Sequence, residues 1–135
     1  MDIKDIMKYV VAVGGSFITY LFGGWSALIQ ILVAFVIIDY ITGVLAAAYH
    51  GKLDSNVGLK GIAKKVFIFV IVACGHLVDG AMGTQDIVRD AAIYFYIANE
   101  LLSILENAGE IGLPVPDILK KSIDTLKGKE QDTPS

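Results

Sequence analysis

The stretch LIQILVAFVIIDYITGVLAAAYHGK, residues 28–52, is apolar for long enough to cross a lipid bilayer and carries one aspartate, Asp39, in its middle. A membrane-spanning helix needs about 20 predominantly apolar residues. Segment 25–49 meets that length, and Trp25 and Tyr49 stand at its ends, where aromatic side chains commonly anchor a span. A lone carboxylate at the bilayer centre costs on the order of 2.5–3.5 kcal/mol. Asp39 is therefore expected to face protein or water and not lipid.

The composition of the whole chain is that of a membrane protein. Of its 135 residues, 55% are hydrophobic and 19% are charged, and the mean hydropathy is +0.64, which exceeds what a water-soluble domain normally carries. Three or four helical spans use most of this length and leave no room for a separate soluble enzyme domain of ordinary size. The net charge of -3 excludes the basic excess that is typical of nucleic-acid binding.

The hydrophobic pattern predicts an all-α polytopic membrane protein with three or four transmembrane helices and a short C-terminal amphipathic helix. We place a single helical membrane domain at 1–127 and a polar flexible tail at 128–135. The first predicted segment is close to the minimum of about 17 residues for a span, so it is either a transmembrane helix or an amphipathic helix at the interface. The predicted helical segments are 6–22, 25–49, 66–82, 90–108 and 117–127.

Basic residues indicate how the chain is oriented in the membrane. Cytoplasmic loops carry an excess of lysine and arginine, so the connection between the second and third segments is predicted to be a cytoplasmic basic loop. If the first segment crosses the membrane, the N-terminus is also cytoplasmic; if it lies on the surface, the N-terminus is outside. The residues of the predicted loop are Lys52, Lys60, Lys64 and Lys65, and Asp54 or Ser55 is a candidate cap for a short basic helix that enters the next span.

Polar side chains recur inside the predicted spans and are the candidate functional residues. The third segment carries His76 and Asp79 one helical turn apart. In the fourth segment the polar residues are spaced by three or four positions, which places them in one stripe on a helix. A polar stripe in a membrane helix must meet another polar surface or an aqueous lumen. The stripe consists of Tyr96, Asn99, Glu100, Ser103 and Asn107.

Each of these features has two interpretations. Asp39 either pairs with Lys64 or Lys65, whose side chains reach along a helix, or faces water. His76 and Asp79 form either a local hydrogen-bonded pair that orients two helices, which we favour, or a proton relay or metal site. The stripe serves either helix packing within a bundle or the lining of a pore.

No catalytic, cofactor-binding or metal-ligating constellation is found in the sequence, and we predict that the chain is not an enzyme. His50 lies at the end of a span far from His76, without the Cys/His spacing that is typical of a metal site. The glycines lack the strand–turn–helix context of a phosphate-binding loop. The single cysteine, Cys74, has apolar neighbours and is predicted to be buried and inert.

The chain contains four motifs in a fixed order: Asp-Tyr-x-Thr-Gly at 39–43, Gly-Ile-x-Lys-Lys at 61–65, His-Leu-x-Asp at 76–79, and Tyr-Ile-Ala-Asn-Glu-x-x-Ser-Ile-x-Glu-Asn at 96–107. With the sequence around them, residues 39–79 and 91–116, they resemble the toxin secretion and phage lysis holin family. This family includes holins of phages of Gram-positive bacteria and clostridial toxin-release proteins. The resemblance spans most of residues 25–123.

The resemblance implies a multi-pass protein of the host bacterial cytoplasmic membrane that oligomerises with itself and forms a lesion. The lesion releases an endolysin or a toxin, as cargo that need not touch the protein, and triggers lysis of the host cell. Membrane lipid is the other expected partner, and no cofactor and no nucleic acid are expected. The alternatives are a small oligomeric ion channel or transporter, and a non-conducting membrane assembly factor.

The candidate residues are expected to face the pore or the contacts between subunits. A chain with costly polar groups in its spans can keep them in protein contacts while copies are scattered and expose them to water once copies assemble. The residues expected in this role are Asp39, Thr42, Gly43, His76, Asp79, Tyr96, Asn99, Glu100 and Ser103.

Overall fold

The computed structural model describes residues 1–128, which form helices joined by short connections. These residues contain no strand, which confirms the all-α prediction. Of the tail predicted at 128–135, only Gly128 is described, as the last helical residue, and the rest of that prediction lies outside the described residues. The helices are α1 (Ile3–Phe22), α2 (Ala27–Tyr49), α3 (Ser55–Met82), α4 (Ile87–Glu110) and α5 (Asp117–Gly128).

Within residues 1–128, the helices that are long and apolar enough to cross a membrane are α1, α2 and α3. The first segment, left open between a span and an interfacial helix, therefore meets the requirements of a span in length and composition. The segment predicted as a span at 90–108 lies in α4, which does not meet them. The reason is the polar content of α4, whose inward-facing side includes Glu100, Ser103 and Asn107.

The third helix is longer than predicted and includes lysines that were predicted to lie in a loop. It begins at Ser55 instead of residue 66, because the Asp54 carboxylate accepts a hydrogen bond from the Asn56 amide at 3.0 Å and caps the first turn. The prediction of one basic loop was therefore wrong for most of its members. Only Lys52 lies in the turn, and α3 carries the other three: Lys60, Lys64 and Lys65.

The central bundle consists of α2, α3 and α4. Helix α4 packs against both of the others, which contact each other only sparsely. Helices α2 and α4 point the same way and α3 points the opposite way, since the His50 ring Nε2 donates to the Glu110 carbonyl at 2.7 Å and joins the C-terminal ends of α2 and α4. We call the end at turn 50–54 the lysine end. The other end, at turn 83–86 beside Arg89, is the arginine end.

An apolar core fills the half of the bundle nearer the arginine end. Gly75 allows α3 to approach α4 closely there, because a Cβ atom at this position would lie only 3.0 Å from the Arg89 Cα. Any larger side chain would push the two helices apart. The buried core residues are Ile29, Leu32, Val36, Ile68, Val72 and Ile93.

The outer surface of the bundle is apolar, as expected of helices that face lipid. Exposed isoleucine, valine, leucine and phenylalanine side chains occur along α2, α3 and α4. Cys74 belongs to this surface and is exposed, so the prediction that it is buried was wrong. Apolar neighbours in a membrane helix indicate lipid contact as well as core packing, and the sequence alone does not separate the two.

Helix α1 is attached to the bundle through its last turn. It has no buried residue, and its contacts with α3 include the Phe22 ring, whose centroid lies 6.3 Å from that of Phe69. The Arg89 guanidinium donates to the Phe22 carbonyl at 2.8 Å. Gly23 ends the helix with a φ of +75°, and a Cβ atom there would lie 2.5 Å from the His76 ring. Only glycine fits this conformation and this contact without strain.

Replacing Gly23 with alanine is expected to release α1 from the bundle. The left-handed backbone and the clash with His76 each oppose a Cβ atom, so the local loss should exceed about 1 kcal/mol. Faster hydrogen exchange of the amides in the last turn of α1 would report the release. Gly14→Ala is the matched control, because it lies within α1 with open space around it and should slow this exchange. Equal exchange in both variants would contradict the prediction.

Candidate functional site

Three charged side chains from three helices meet inside the bundle: Asp39 of α2, Lys65 of α3 and Glu100 of α4. The Lys65 ammonium donates to Asp39 Oδ2 at 2.6 Å and to Glu100 Oε2 at 3.0 Å. The two carboxylate side chains are only 7% and 5% exposed, and the lysine side chain is 17% exposed. We refer to these three residues as the charged triad. The structure thus realises the pairing of Asp39 with Lys65 and adds a second carboxylate to it.

The members of the charged triad lie at the same depth. Each is ten residues from the terminal residue of its helix at the lysine end. The residue pairs are Asp39 and Tyr49 in α2, Lys65 and Ser55 in α3, and Glu100 and Glu110 in α4. At about 1.5 Å per helical residue, the triad is ~15 Å from that end. This is about half of the ~30 Å thickness of the hydrocarbon core, so helices aligned with the membrane hold the triad near its centre.

Amide and hydroxyl groups extend the polar cluster towards the lysine end. Asn107 Nδ2 donates to Asp39 Oδ1 at 3.0 Å and to the Thr42 hydroxyl at 2.9 Å. The Thr42 hydroxyl donates in turn to the Ile38 carbonyl at 2.8 Å. In the described part of the chain, every buried side-chain nitrogen and oxygen has a hydrogen-bond partner. No buried polar side chain of this interior therefore bears the cost of an unmade hydrogen bond.

A cleft of about 230 Å³ runs from Asp39 and Lys65 of the charged triad to the lysine end. Residues of the turn, Lys52 and Asp54, line one part of it, and small residues such as Gly58 make room for it. The Tyr40 ring borders the cleft, and its hydroxyl would lie 3.3 Å from a Cβ atom at Gly58. The polar residues of the inner wall are Asp39, Lys65, Ser103 and Asn107.

A second polar cluster closes the arginine end. Asp79 is 2% exposed, and its carboxylate accepts hydrogen bonds from the amides of Val88 at 2.9 Å and Arg89 at 2.8 Å. It also accepts a hydrogen bond from the Thr84 hydroxyl. The amides of Val88 and Arg89 belong to the first turn of α4, where backbone N–H groups have no intrahelical partner. The Asp79 side chain of α3 therefore caps α4.

Arg89 joins three parts of the arginine end. Its guanidinium lies 3.5 Å from Asp86, bonds Asp90 at 2.9 Å, and reaches the Phe22 carbonyl of α1. The His76 Nδ1 donates to Asp86 Oδ1 at 2.7 Å. Asp86 has a φ of +65°, which is rare outside glycine but tolerated by aspartate, and these two partners hold it there.

The structure separates the predicted site residues into groups. His76 and Asp79, which we expected to bond each other, join α3 to the start of α4 through separate partners. Tyr96 packs against the apolar core, and Asn99 is exposed on the outside of α4. The stripe therefore does not act as one surface. The predicted residues that the structure brings together around the charged triad and cleft are Asp39, Thr42, Gly43, Glu100 and Ser103.

Three residues that carry this geometry were absent from the predicted pore or subunit contacts. Lys65 was assigned to a loop, and Asn107 was noted only as a member of the stripe. Arg89, which is 6% exposed, was not among the candidate residues. A usable signal existed for the last of these, because Asp86 and Arg89 are spaced by three positions, as in a helical ion pair. Within residues 1–128, no three His, Cys, Asp or Glu side chains are placed to hold a metal ion.

Comparison with known proteins shows relatives along almost the whole chain. An uncharacterized protein of Halalkalibacterium halodurans is 47% identical over 132 residues, which cover 94% of this chain and 98% of that protein. One of Listeria monocytogenes is 45% identical over 130 residues, covering 94% and 93%. An uncharacterized 14.9 kDa protein of Clostridium perfringens is 36% identical over 131 residues, covering 96% and 98%. No solved structure matches the chain.

The family assignment agrees with the geometry. The sequence model of the bacteriophage holin family matches residues 16–128, which include all of the charged triad, the cleft and the arginine-end cluster. Three helices suited to crossing a membrane fit a protein of this kind. The chain therefore belongs to the bacteriophage holin family and is an integral membrane protein.

Proposed function

We propose that the chain assembles into homo-oligomers in the cytoplasmic membrane of a host bacterium and opens a lesion that releases an endolysin or a toxin, which leads to lysis. The family is non-enzymatic, so the activity is permeabilisation of the membrane. The observation that supports the proposal most is the enclosure of the charged triad, near mid-depth, by helices whose outer surfaces are apolar. A single copy is thereby compatible with an intact bilayer.

The enclosed polar groups provide a physical reason for assembly. Exposing the charged triad to lipid is costly, whereas exposing it to water is not, so a lumen between several copies is where these groups can open at small cost. Assembly follows mass action, and the assembled fraction rises steeply with copy number. A membrane that accumulates the protein is then sealed at first and permeabilised abruptly.

The packing of α4 suggests how the polar groups become exposed. Helices α2 and α3 contact each other sparsely, and an apolar groove of about 270 Å³ separates them on the outside. Helix α4 therefore holds the bundle together, and a shift of α4 away from α2 would uncover Asp39 and Glu100 in one step. In this proposal the residues around the triad face the lumen, and the exposed Asn99 is available for contact between subunits.

The proposal includes an orientation. We place the lysine end on the cytoplasmic side, because Lys52 and Lys60 are exposed at or near it and basic residues favour that side. Helix α5 follows α4 at this end and carries Lys120 and Lys121, which adds to the attraction for anionic lipid headgroups. Since α2 runs towards the lysine end, the α3–α4 turn then lies outside.

Replacing Glu100 with leucine is expected to delay or abolish lysis. The leucine removes one carboxylate from the lumen-facing group and leaves Asp39 and Lys65 as a neutral pair, so the enclosed state is favoured. The measurement is culture turbidity after induced expression in a bacterium that also contains a cytoplasmic muralytic enzyme. Glu110→Leu is the control, because that side chain is exposed at the end of α4 and should leave the timing unchanged. Unchanged lysis and unchanged dye leakage for Glu100→Leu would count against the proposal.

A graded leakage experiment separates the lesion from the other predicted functions. Purified protein in liposomes is tested with ions, a small dye and a folded protein as the enclosed solutes. Release of the folded protein supports the lesion, flux of ions alone supports a channel or transporter, and no release supports a non-conducting assembly factor.

A further inference from the structure

The charges of the triad do not balance. Asp39 and Glu100 are two potential negative charges, and in the part of the chain that the structure describes Lys65 is the one ammonium that bonds them. If all three groups are ionised, the triad carries a net charge of −1 in a nearly water-free position about half-way through the membrane. A buried charge without compensation is far more costly than a buried neutral pair.

Within residues 1–128, no other cation forms a salt bridge with Asp39 or Glu100, and Lys64, the residue before Lys65, is exposed on the outside of α3. The other charged groups that line the cleft are Lys52 and Asp54, one of each sign, and both belong to the turn at the lysine end. Tyr40 is the remaining titratable group of the cleft, and its hydroxyl lies beside Gly58. The neighbouring acid of α4, Glu106, is exposed.

The hydrogen bonds show where a compensating proton fits. Both oxygens of Asp39 accept hydrogen bonds, Oδ2 from Lys65 and Oδ1 from Asn107, as an ionised carboxylate does. Glu100 accepts from Lys65 through Oε2. The same ammonium lies 2.6 Å from Asp39 Oδ2 and 3.0 Å from Glu100 Oε2, so the two carboxyl groups lie close together, and one proton held between them would remove their mutual repulsion.

We propose that Asp39 and Glu100 share one exchangeable proton, held mainly by Glu100, so that the charged triad is neutral and forms a buried proton-binding site. The cleft provides the route for this proton. Its volume of about 230 Å³ has room for several water molecules at about 30 Å³ each, and Ser103 and Asn107 offer them polar partners on the inner wall. The proton therefore exchanges with the lysine end, without crossing the apolar core.

The site belongs to the single folded chain and does not depend on lesion formation. Loss of the proton adds one negative charge at mid-depth between α2, α3 and α4, and so loosens the contact of α4 with the other two helices. Where the proposed lesion forms, alkaline conditions at the lysine end should hasten it. Infrared spectroscopy reads the proton directly, so the site can be tested whether or not the protein permeabilises membranes.

The test is a pH titration of the full-length protein in liposomes, followed through the carbonyl stretch of protonated carboxylic acids. We expect about one carboxylic acid per chain to stay protonated at neutral pH, where exposed carboxylates are ionised, and to lose its proton at alkaline pH. Glu100→Gln and Asp39→Asn should each abolish this band, since one remaining carboxylate balances Lys65. Glu110→Gln, at an exposed site, should retain it.

Lys65→Met changes the band in the opposite direction, which general misfolding would not do. Without the ammonium, both carboxyl groups should stay protonated, and the band should grow about twofold. A wild-type protein without a protonated carboxylic acid at neutral pH would overturn the proposal. So would a band of unchanged size in both Glu100→Gln and Asp39→Asn.

Discussion

Replacing Lys65 with methionine is expected to lower the free energy of unfolding by about 3–5 kcal/mol at neutral pH, the usual loss when one partner of a buried ion pair is removed. The methionine preserves most of the side-chain volume but leaves Asp39 and Glu100 close together without a cation. The measurement is the loss of helical circular dichroism with denaturant in detergent micelles. Acid conditions should restore part of the stability, because the folded variant holds both carboxyl groups protonated and the unfolded chain then no longer gains free energy by ionising them.

Lys64→Met is the control for this prediction. Lys64 is the preceding residue of the same helix and is exposed, so the same chemical change there should alter stability by less than about 0.5 kcal/mol. If the two variants were equally stable, the charged triad would not hold the bundle together. A loss for Lys65→Met that did not recover in acid would indicate that packing, and not charge, is the cause.

Asp79→Ala is expected to produce the second large effect, by uncapping α4. The carboxylate accepts from the amides of Val88 and Arg89, and the alanine would leave both donors without a partner at the buried start of the helix. Helix α4 should then separate from α3 at the arginine end. Hydrogen exchange of the amides in the first turn of α4 measures this directly, and thermal unfolding measures the global loss.

Asp54→Ala provides a graded comparison for that prediction. Asp54 also caps a helix, but it is exposed and accepts one backbone hydrogen bond, from Asn56, so its loss should cost about 1 kcal/mol. Asp79→Ala should lower the unfolding midpoint at least about twice as much, because one buried and one part-buried amide lose their partner instead of one exposed amide. Equal losses would show that the burial of Asp79 adds nothing to its capping role.

The two clusters divide the bundle into parts with different tasks. At the arginine end, Asp79, His76 and Arg89 join α1, α3 and α4 through hydrogen bonds. At mid-depth, the charged triad joins α2, α3 and α4 through the charge balance that, in our proposal, one proton alters. The apolar core lies between the two clusters, so a shift of α4 at the lysine end need not break the contacts at the arginine end.

Much of the fold could be predicted from single segments. The helix at 25–49 follows from the length of its apolar run, and the helical stripe in the fourth segment follows from its spacing. The error in the helix bounds was at the start of the third helix, where the apolar pattern begins later than the helix itself. The basic residues after Asp54 were grouped as a loop with a short helix, because lysines between apolar runs are typical of a connection, whereas the helix that Asp54 caps continues through them into the span.

The candidate site was predicted less completely, for a geometric reason. Periodicity placed Asn99, Glu100 and Ser103 on one stripe of α4. This stripe is wider than the surface that α4 buries against its neighbours, so some of its residues are buried and others are exposed. The rotation of α4 decides that Glu100 is buried and that Asn99 is exposed. The partner of His76 was missed because Asp86 reaches it through a turn with left-handed residues, which no spacing rule describes.

The amino-acid sequence alone determined that this protein is helical, that it belongs in a membrane, and that Asp39 does not face lipid. The last two conclusions follow from the cost of transferring each side chain from water to lipid, and the first from the length and spacing of the apolar segments. Tertiary structure alone decided which groups surround Asp39. Only the crossing of α2, α3 and α4 brings Asp39, Lys65 and Glu100 to one depth, since the contact of distant residues depends on the relative rotation and shift of whole helices.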